Sequence, residues 1–373
     1  MEDSSGRDGQ ITRRRFLKSA VVGAGALAAP MVFGVRKAHA YQPGQSVHPN
    51  IPPLRVVGLT DEEMTTDRRV RINWQDQEQL VNTHQVGENI DRLACALAEE
   101  KSEKDAWSGI FIRPPGKAWS DVKVAIKTNN IAQQHTHSAV MAKICRVLTG
   151  VVGIAGKNIC IYDGRHGGNL ERSTPYKGLP DGVRIVNTWG GISAEAPVPG
   201  PWQDGRGTSQ CVPALARGEA DILVDIALCK GHASTFGNFT MSCKNHFGTF
   251  SPGPGHRAGA DDYVLCINKS EAILGPQDAR GRVTFPRQQL VLIDSLWASR
   301  GGPGGHPDHQ PNALFMGSFG PAVDYQVATK FRLGTMGWPI NKAMTNRFLT
   351  EFGFKRDQLP GDGAIIDAAQ FPV

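Results

Sequence analysis

Short apolar runs alternate with amphipathic stretches along most of the chain. The first apolar run covers 56–59. Ile90, Leu93, Ala94 and Leu97 then recur at helical spacing and predict a helix over 88–100. A second apolar run, 107–112, ends at Pro114-Pro115. From there the alternation sharpens. The segments 122–126, 158–162, 183–186, 221–228, 289–294 and 313–316 read as short strands. A helix is expected to open at Ser138 as its cap, run through Val140, Ile144 and Leu148, and close near Gly150 and Gly153. A short helix over 212–215 stops at Gly218, and two more helices, 323–333 and 342–352, finish the pattern. Strand–helix–strand order with short apolar strands predicts an α/β fold: a largely parallel sheet with helices on both faces. In such sheets functional groups gather past the carboxyl ends of the strands. The Gly/Pro-rich segments 164–182, 192–209, 251–259 and 300–312 are too long for simple connectors and read as site-forming loops.

The first forty residues follow another logic. Thr12-Arg13-Arg14-Arg15-Phe16-Leu17-Lys18 sets a positive cluster before an uncharged Ala/Gly/Val stretch over 19–35, which is short for a membrane span. Arg36 and Lys37 lead into Ala38-His39-Ala40, a small-x-small cleavage pattern. Paired arginines followed by Phe-Leu-Lys fit the twin-arginine consensus. The expectation is therefore a signal peptide over 1–40, engagement of the twin-arginine translocase, and a periplasmic or otherwise extracytoplasmic destination. A leader and flanking segment would cover 41–120, and the main α/β domain 121–373.

This reading changes the charge argument. The chain holds 41 basic and 35 acidic side chains. Seven of the basic and three of the acidic ones fall in 1–40, which leaves 34 against 32 in the remaining 333 residues. A near-neutral remainder gives no support for nucleic-acid or anionic-membrane binding. No later apolar stretch approaches twenty residues, so no membrane span is expected after cleavage. None of the seven cysteines forms a Cys-x-x-Cys pair, so there is no zinc-knuckle or iron–sulfur motif. Buried free thiols are expected in preference to a disulfide framework.

The densest polar stretch follows the apolar strand 221–228. Lys230, His232, Lys244, Asn245 and His246 fall within seventeen residues, beside glycines that let backbone approach a ligand. Lysine and asparagine donors there suit a carboxylate or phosphate. Histidines could ligate metal or move protons. A second set follows the strand 122–126: Lys127 and Asn129, then Asn130, His135, Thr136 and His137. It could hold an anion, or simply cap a helix with Thr136 or Ser138. Asp163 opens Asp-Gly-Arg-His-Gly-Gly at a strand end, where it could bind metal or start a turn. His306-Pro307-Asp308-His309, with Asp294 upstream, is a further candidate ligand set, as is His256. Walker-type, dinucleotide-binding, nucleophile-elbow and His-Glu-x-x-His patterns are absent outside the signal.

The segment 221–232, ending Cys-Lys-Gly-His, followed by 239–248, Phe-Thr-Met-Ser-Cys-Lys-Asn-His-Phe-Gly, resembles the central motif of the DUF362 family. Val-Ala-Ile-Lys-Thr-Asn over 124–129, Ile-Tyr-Asp ending at Asp163, Leu-Ile-Asp ending at Asp294 and Pro-Ala-Val-Asp ending at Asp324 add to the resemblance, which covers roughly 120–335. Some relatives carry a ferredoxin-like cluster domain; this chain lacks such a cysteine run. The expectation is an exported enzyme of unassigned reaction acting on a small anionic substrate. Lys230 and Lys244 would neutralise charge, and His232 or His246 would act as acid/base. Lys127, Asn129, Asp163 and Asp225 would bind or orient. A divalent metal, held by His232, His246 and Asp294, is the candidate cofactor. The rival expectation is a non-catalytic periplasmic accessory protein that binds a metal or cofactor.

Overall fold

A computed structural model describes residues 47–164, 170–187, 192–200, 207–257, 261–360 and 365–371. The expected signal peptide and residues 165–169 of the Asp-Gly-Arg-His-Gly-Gly loop lie outside these. Eight strands form one sheet: β1 (Val56–Thr60), β2 (Val124–Lys127), β3 (Ile159–Asp163), β4 (Arg184–Asn187), β5 (Ile222–Leu228), β6 (Gln288–Ser295), β7 (Ala313–Gly317) and β8 (Ile365–Asp367). Their order across the sheet is β8-β1-β7-β6-β5-β2-β3-β4. Only β7 runs against its neighbours; every other pairing is parallel. The largely parallel α/β expectation is thus the observed fold.

Parallel strands buried on both faces read as near-continuous apolar runs, and β5 and β6 are buried along their whole length. Side-chain alternation divides them between two cores. Ile222, Val224, Ile226, Leu290 and Leu292 face one core. It is capped by helices α1 (Trp74–Leu80), α2 (Thr83–Ala98), α3 (Glu103–Ile110) and α4 (Ser138–Arg146). Leu223, Ala227, Val291 and Ile293 face the other. That face is covered by α5 (Ser242–Asn245), α6 (Asp261–Asn268), α7 (Gly320–Gln326) and α8 (Lys342–Thr350).

Several boundaries differ from the sequence pattern, each for a physical reason. The apolar run 107–112 lies largely in α3, where Ser102 caps the helix and Trp107 donates its indole N–H to Asp91 at 2.8 Å. The segment 41–120, expected as a flanking piece, supplies through its described part β1, held between β8 and β7, and three helices of one face. Ser138 is not the cap of α4. The His137 N–H donates to Asp294 and the Ser138 N–H to Glu78, so carboxylates from distant segments satisfy that helix start. The expected helix 323–333 is α7 followed by a π-helical stretch, Val327–Thr335. All seven cysteines are free, and all but the half-buried Cys160 are buried. Among the described residues, no helix is long and apolar enough to cross a membrane.

Candidate functional site

The ends of β2 and β5 place Lys127 directly beside Asp225. Lys127 Nζ donates to Asp163 Oδ1 at 2.7 Å, Asn245 Oδ1 at 2.9 Å and the Thr128 carbonyl at 2.5 Å. An ammonium has three donors, so Lys127 is fully satisfied. Asn245 Oδ1 also accepts from Asn129 Nδ2 at 2.9 Å. Its own Nδ2 donates to Asp225 Oδ1 at 2.6 Å. Asn129 in turn offers Oδ1 to Lys230 Nζ at 2.5 Å. Two amides thus join the Asp225 carboxylate to the Lys230 amine in one directed chain, Asp225–Asn245–Asn129–Lys230. All four side chains are buried.

The charges do not pair off. Lys127 has Asp163. Lys230 is fully buried, and its one hydrogen bond is to an amide. Burial pulls its pKa from 10.5 down to about 7; Asp163 opposes that fall, and Lys127 and Lys244 add to it. Lys244 sits between two phenyl rings, its Nζ 4.5 Å from the Phe236 centroid and 4.3 Å from that of Phe247. Burial lowers it, too, to about 7. Asp225 moves the other way. Burial raises it to about 6 against the pull of Asn245 and Lys127, and its Oδ2 has no hydrogen-bond partner. His232 is pushed down to about 3, first by burial and then by Lys244, His256 and Lys230.

Glycines let the loops close on these groups. A Cβ on Gly248 would lie 2.3 Å from Asp163 Oδ1 and 2.7 Å from Lys127 Cε. One on Gly231 would meet the Arg300 carbonyl oxygen at 2.3 Å. Buried Arg332 fixes that second approach: it donates to the Ser299 and Arg300 carbonyls and stacks on Trp338. Asp324 fixes α5, accepting the Ser242 N–H at 2.8 Å on one oxygen and the Cys243 N–H at 2.9 Å on the other. Burial raises the Asp324 carboxyl to about 8.

Lys127, Asn129, Asp163, Asp225, Lys230 and Asn245 therefore share one network, with Lys244 and His232 beside it. His246 behaves differently from its expected acid/base role. Gln288 Nε2 donates to His246 Nε2 at 3.0 Å, which leaves the ring proton on Nδ1, directed at Thr249 Oγ1 at 3.0 Å. The ring is fully buried and held neutral, its pKa lowered to about 3 by burial and then Lys127. It anchors the loop.

The expected metal set of His232, His246 and Asp294 is not assembled. Asp294 lies an odd number of residues beyond Val291, which pairs with Asp225, so alternation sends it to the opposite face of the sheet. There it accepts from His137 Nδ1 at 2.9 Å, beside Trp297. His306 bonds Asn73, and His309 bonds Asp308 and packs on Trp338. Among the described residues, no three His, Cys, Asp or Glu side chains gather as a metal-ligand group. His135 belongs to a small hairpin, with its ring against Trp74.

Sequence reasoning passed over Phe236, Phe247, Gln288 and Arg332 as site residues. The two phenylalanines flank the lysine motif and were visible there. Asp324 stood in a recognised segment but had no role until α7 was seen against α5.

No similar protein was found among curated proteins, and no similar fold among solved structures. A family model described as "Domain of unknown function (DUF362)" matches residues 124–329, which span every member of the Lys/Asn/Asp network. With more than half of its length so matched, the chain belongs to the DUF362 family.

Proposed function

We propose that the chain is exported by the twin-arginine route and acts outside the cytoplasm as an enzyme on a small anionic substrate, with Lys230 as its proton-transfer group. The observation that supports this most is Lys230 itself: a fully buried amine with no carboxylate partner among the described residues, tied through two amides to a buried carboxylate. A purely structural lysine gains nothing from such a place. An acid/base group gains a pKa near the working pH. Lys127, with its three donors committed, supplies fixed positive charge. Asp225, raised to about 6, is the second titrating end of the chain of amides. Because the expected metal ligands lie on opposite faces of the sheet, the reading carries no metal step.

The test is a screen of the chain lacking residues 1–40 against small carboxylates and oxo-acids, by thermal shift and then by turnover. Stabilisation and turnover, with turnover abolished in Lys230→Met, support the reading. Binding without turnover would place the protein with carriers instead. Anion stabilisation that is unchanged in both Lys230→Met and Lys127→Met would refute the site.

A further inference from the structure

Beside the buried chain of amides lies a second group that opens to solvent. Lys244 is half-buried between Phe236 and Phe247, and its ammonium makes no hydrogen bond among the described residues. His232 packs on Phe236 with ring centroids 4.8 Å apart. His256 packs on Phe236 at 6.2 Å and on Phe247 at 5.3 Å. Gly255 permits this last contact, since a Cβ there would lie 2.3 Å from the Phe247 ring. His256 is the exposed rim of this group, while His232 and Lys244 are both half-buried, and Lys244 lies close enough to both rings to act on them electrostatically.

The proton inventory of the rim is fixed by its backbone partners. The Ala233 N–H donates to His232 Nδ1 at 2.7 Å, so a neutral His232 carries its proton on Nε2 and offers a donor. His256 Nδ1 faces the Pro252 carbonyl at 2.9 Å. A carbonyl cannot donate, so Nδ1 holds the proton and Nε2 presents a lone pair. Burial and Lys244 both keep His256 below its ordinary pKa. With Lys244 protonated, the box thus presents three donors from Lys244, one donor from His232 and one acceptor from His256, and none of these atoms has a hydrogen-bond partner among the described residues.

We propose that this box binds the phosphoryl group of a phosphate monoester or of inorganic phosphate. The donors match its oxygens, and His256 Nε2 accepts a P–OH proton. With a second pKa of about 6, a phosphate monoester still keeps that proton in roughly a tenth of its molecules at pH 7 and can take it up again at the site, whereas sulfate and simple carboxylates have lost theirs outright. Lys244 and His232 supply attraction, and His256 supplies the discrimination. The inference deepens the anionic-substrate reading by naming the group held at the mouth of the site, yet it rests on different atoms from Lys230.

The experiment is isothermal titration at pH 7 of the chain lacking residues 1–40, with inorganic phosphate, phenyl phosphate and sulfate as probes. Phosphate and phenyl phosphate are expected to bind and sulfate to bind more weakly. Tighter phenyl phosphate assigns an ester, and equal affinity assigns phosphate itself; both support the proposal. Lys244→Met should weaken phosphate by on the order of tenfold or more, as expected for loss of a charge-assisted hydrogen bond. His256→Phe should bring phosphate and sulfate to similar affinity. That ring is exposed, so this result is readable even if Lys244→Met fails to fold. The proposal is overturned if phosphate does not bind, if the wild type binds sulfate as well as phosphate, or if His256→Phe keeps the wild-type preference for phosphate over sulfate. Phosphate binding that survives alongside a failed substrate screen would separate this subsite from the proposed reaction.

Discussion

Replacing Lys230 by methionine is expected to stabilise the protein at mildly acidic pH while abolishing the turnover proposed for it. The fall of the lysine pKa from 10.5 to about 7, at about 1.36 kcal/mol per tenfold, corresponds to roughly 5 kcal/mol. That cost is present in full below pH 7, where the buried amine is charged. It declines as pH rises from 7 to 10.5, because the unfolded chain then binds the proton that the folded one has released. Methionine fills a similar volume without charge but leaves the Asn129 carboxamide oxygen without its donor, a loss of roughly 1–3 kcal/mol. The net gain at pH 6 is therefore roughly 2–4 kcal/mol. A chain of this size unfolds with an entropy near about 0.7 kcal/mol/K, so Tm should rise by roughly 3–6 °C. At pH 9 the remaining cost is about 2 kcal/mol, close to the lost hydrogen bond, and the gain should vanish. Calorimetric melts of wild type and variant at pH 6 and pH 9 measure this. A variant destabilised equally at both values would show that Lys230 is an ordinary charged lysine with a compensating partner, and the functional argument built on it would fall.

Three further substitutions probe the same architecture. Asp225→Asn should raise stability at pH 7 by up to roughly 3 kcal/mol, since its carboxyl is lifted from 3.8 to about 6 and an amide oxygen can still accept from Asn245. The gain should fade as pH falls from 6 to 4, and chemical denaturation across that range will show whether it does. Asp324→Ala leaves the buried Ser242 and Cys243 N–H groups unpaired, a loss of roughly 1–3 kcal/mol for each, but near pH 7 it also removes the cost of a carboxyl raised from 3.8 to about 8, roughly 4 kcal/mol; the drop in Tm should therefore be largest near pH 4 and shrink as pH rises toward 7. Gly248→Ala drives a Cβ into Asp163 and Lys127 and should cost roughly 1–3 kcal/mol, whereas Gly301→Ala, which meets only open space, serves as the matched control.

The parallel sheet was legible in the chain because parallel strands buried on both faces read as near-continuous apolar runs, and 221–228 and 289–294 show that pattern with only a few polar positions. The main cluster was legible for a related reason: Lys230 follows such a strand directly, and polar residues there have to be used or solvated. What could not be read was register. Asp225 and Asp294 look alike in sequence, each an acid in an apolar strand. Only the pairing of Val291 with Asp225 shows that one faces the lysines and the other faces His137. Ser138 was misjudged as a cap because the true acceptors, Asp294 and Glu78, come from far away in sequence. The strand Ile365–Asp367 was missed because three residues carry too little periodicity to register. The hold on His246 could not be read either, because Gln288 and Thr249, which fix its tautomer, lie outside its motif or had no assigned role.

The sheet keeps its two buried acid–base systems apart, and the separation has a consequence for mechanism. On one face His137 and Asp294 pair directly, and Asp294 raises the histidine pKa against the effect of burial. A matched pair of that kind mainly holds a helix end in place. On the other face, Lys230 and Asp225 are joined only through amides, so neither neutralises the other and both are displaced toward neutral pH. The same elements of fold, a strand end and a helix start, thus give one locked pair and one responsive pair. The difference lies in whether Asn129 and Asn245 stand between the charges. A site built to titrate needs that spacing, and its location follows: past the ends of β2 and β5, on the face where α5 brings Asn245 and Lys244 to the lysines rather than a carboxylate.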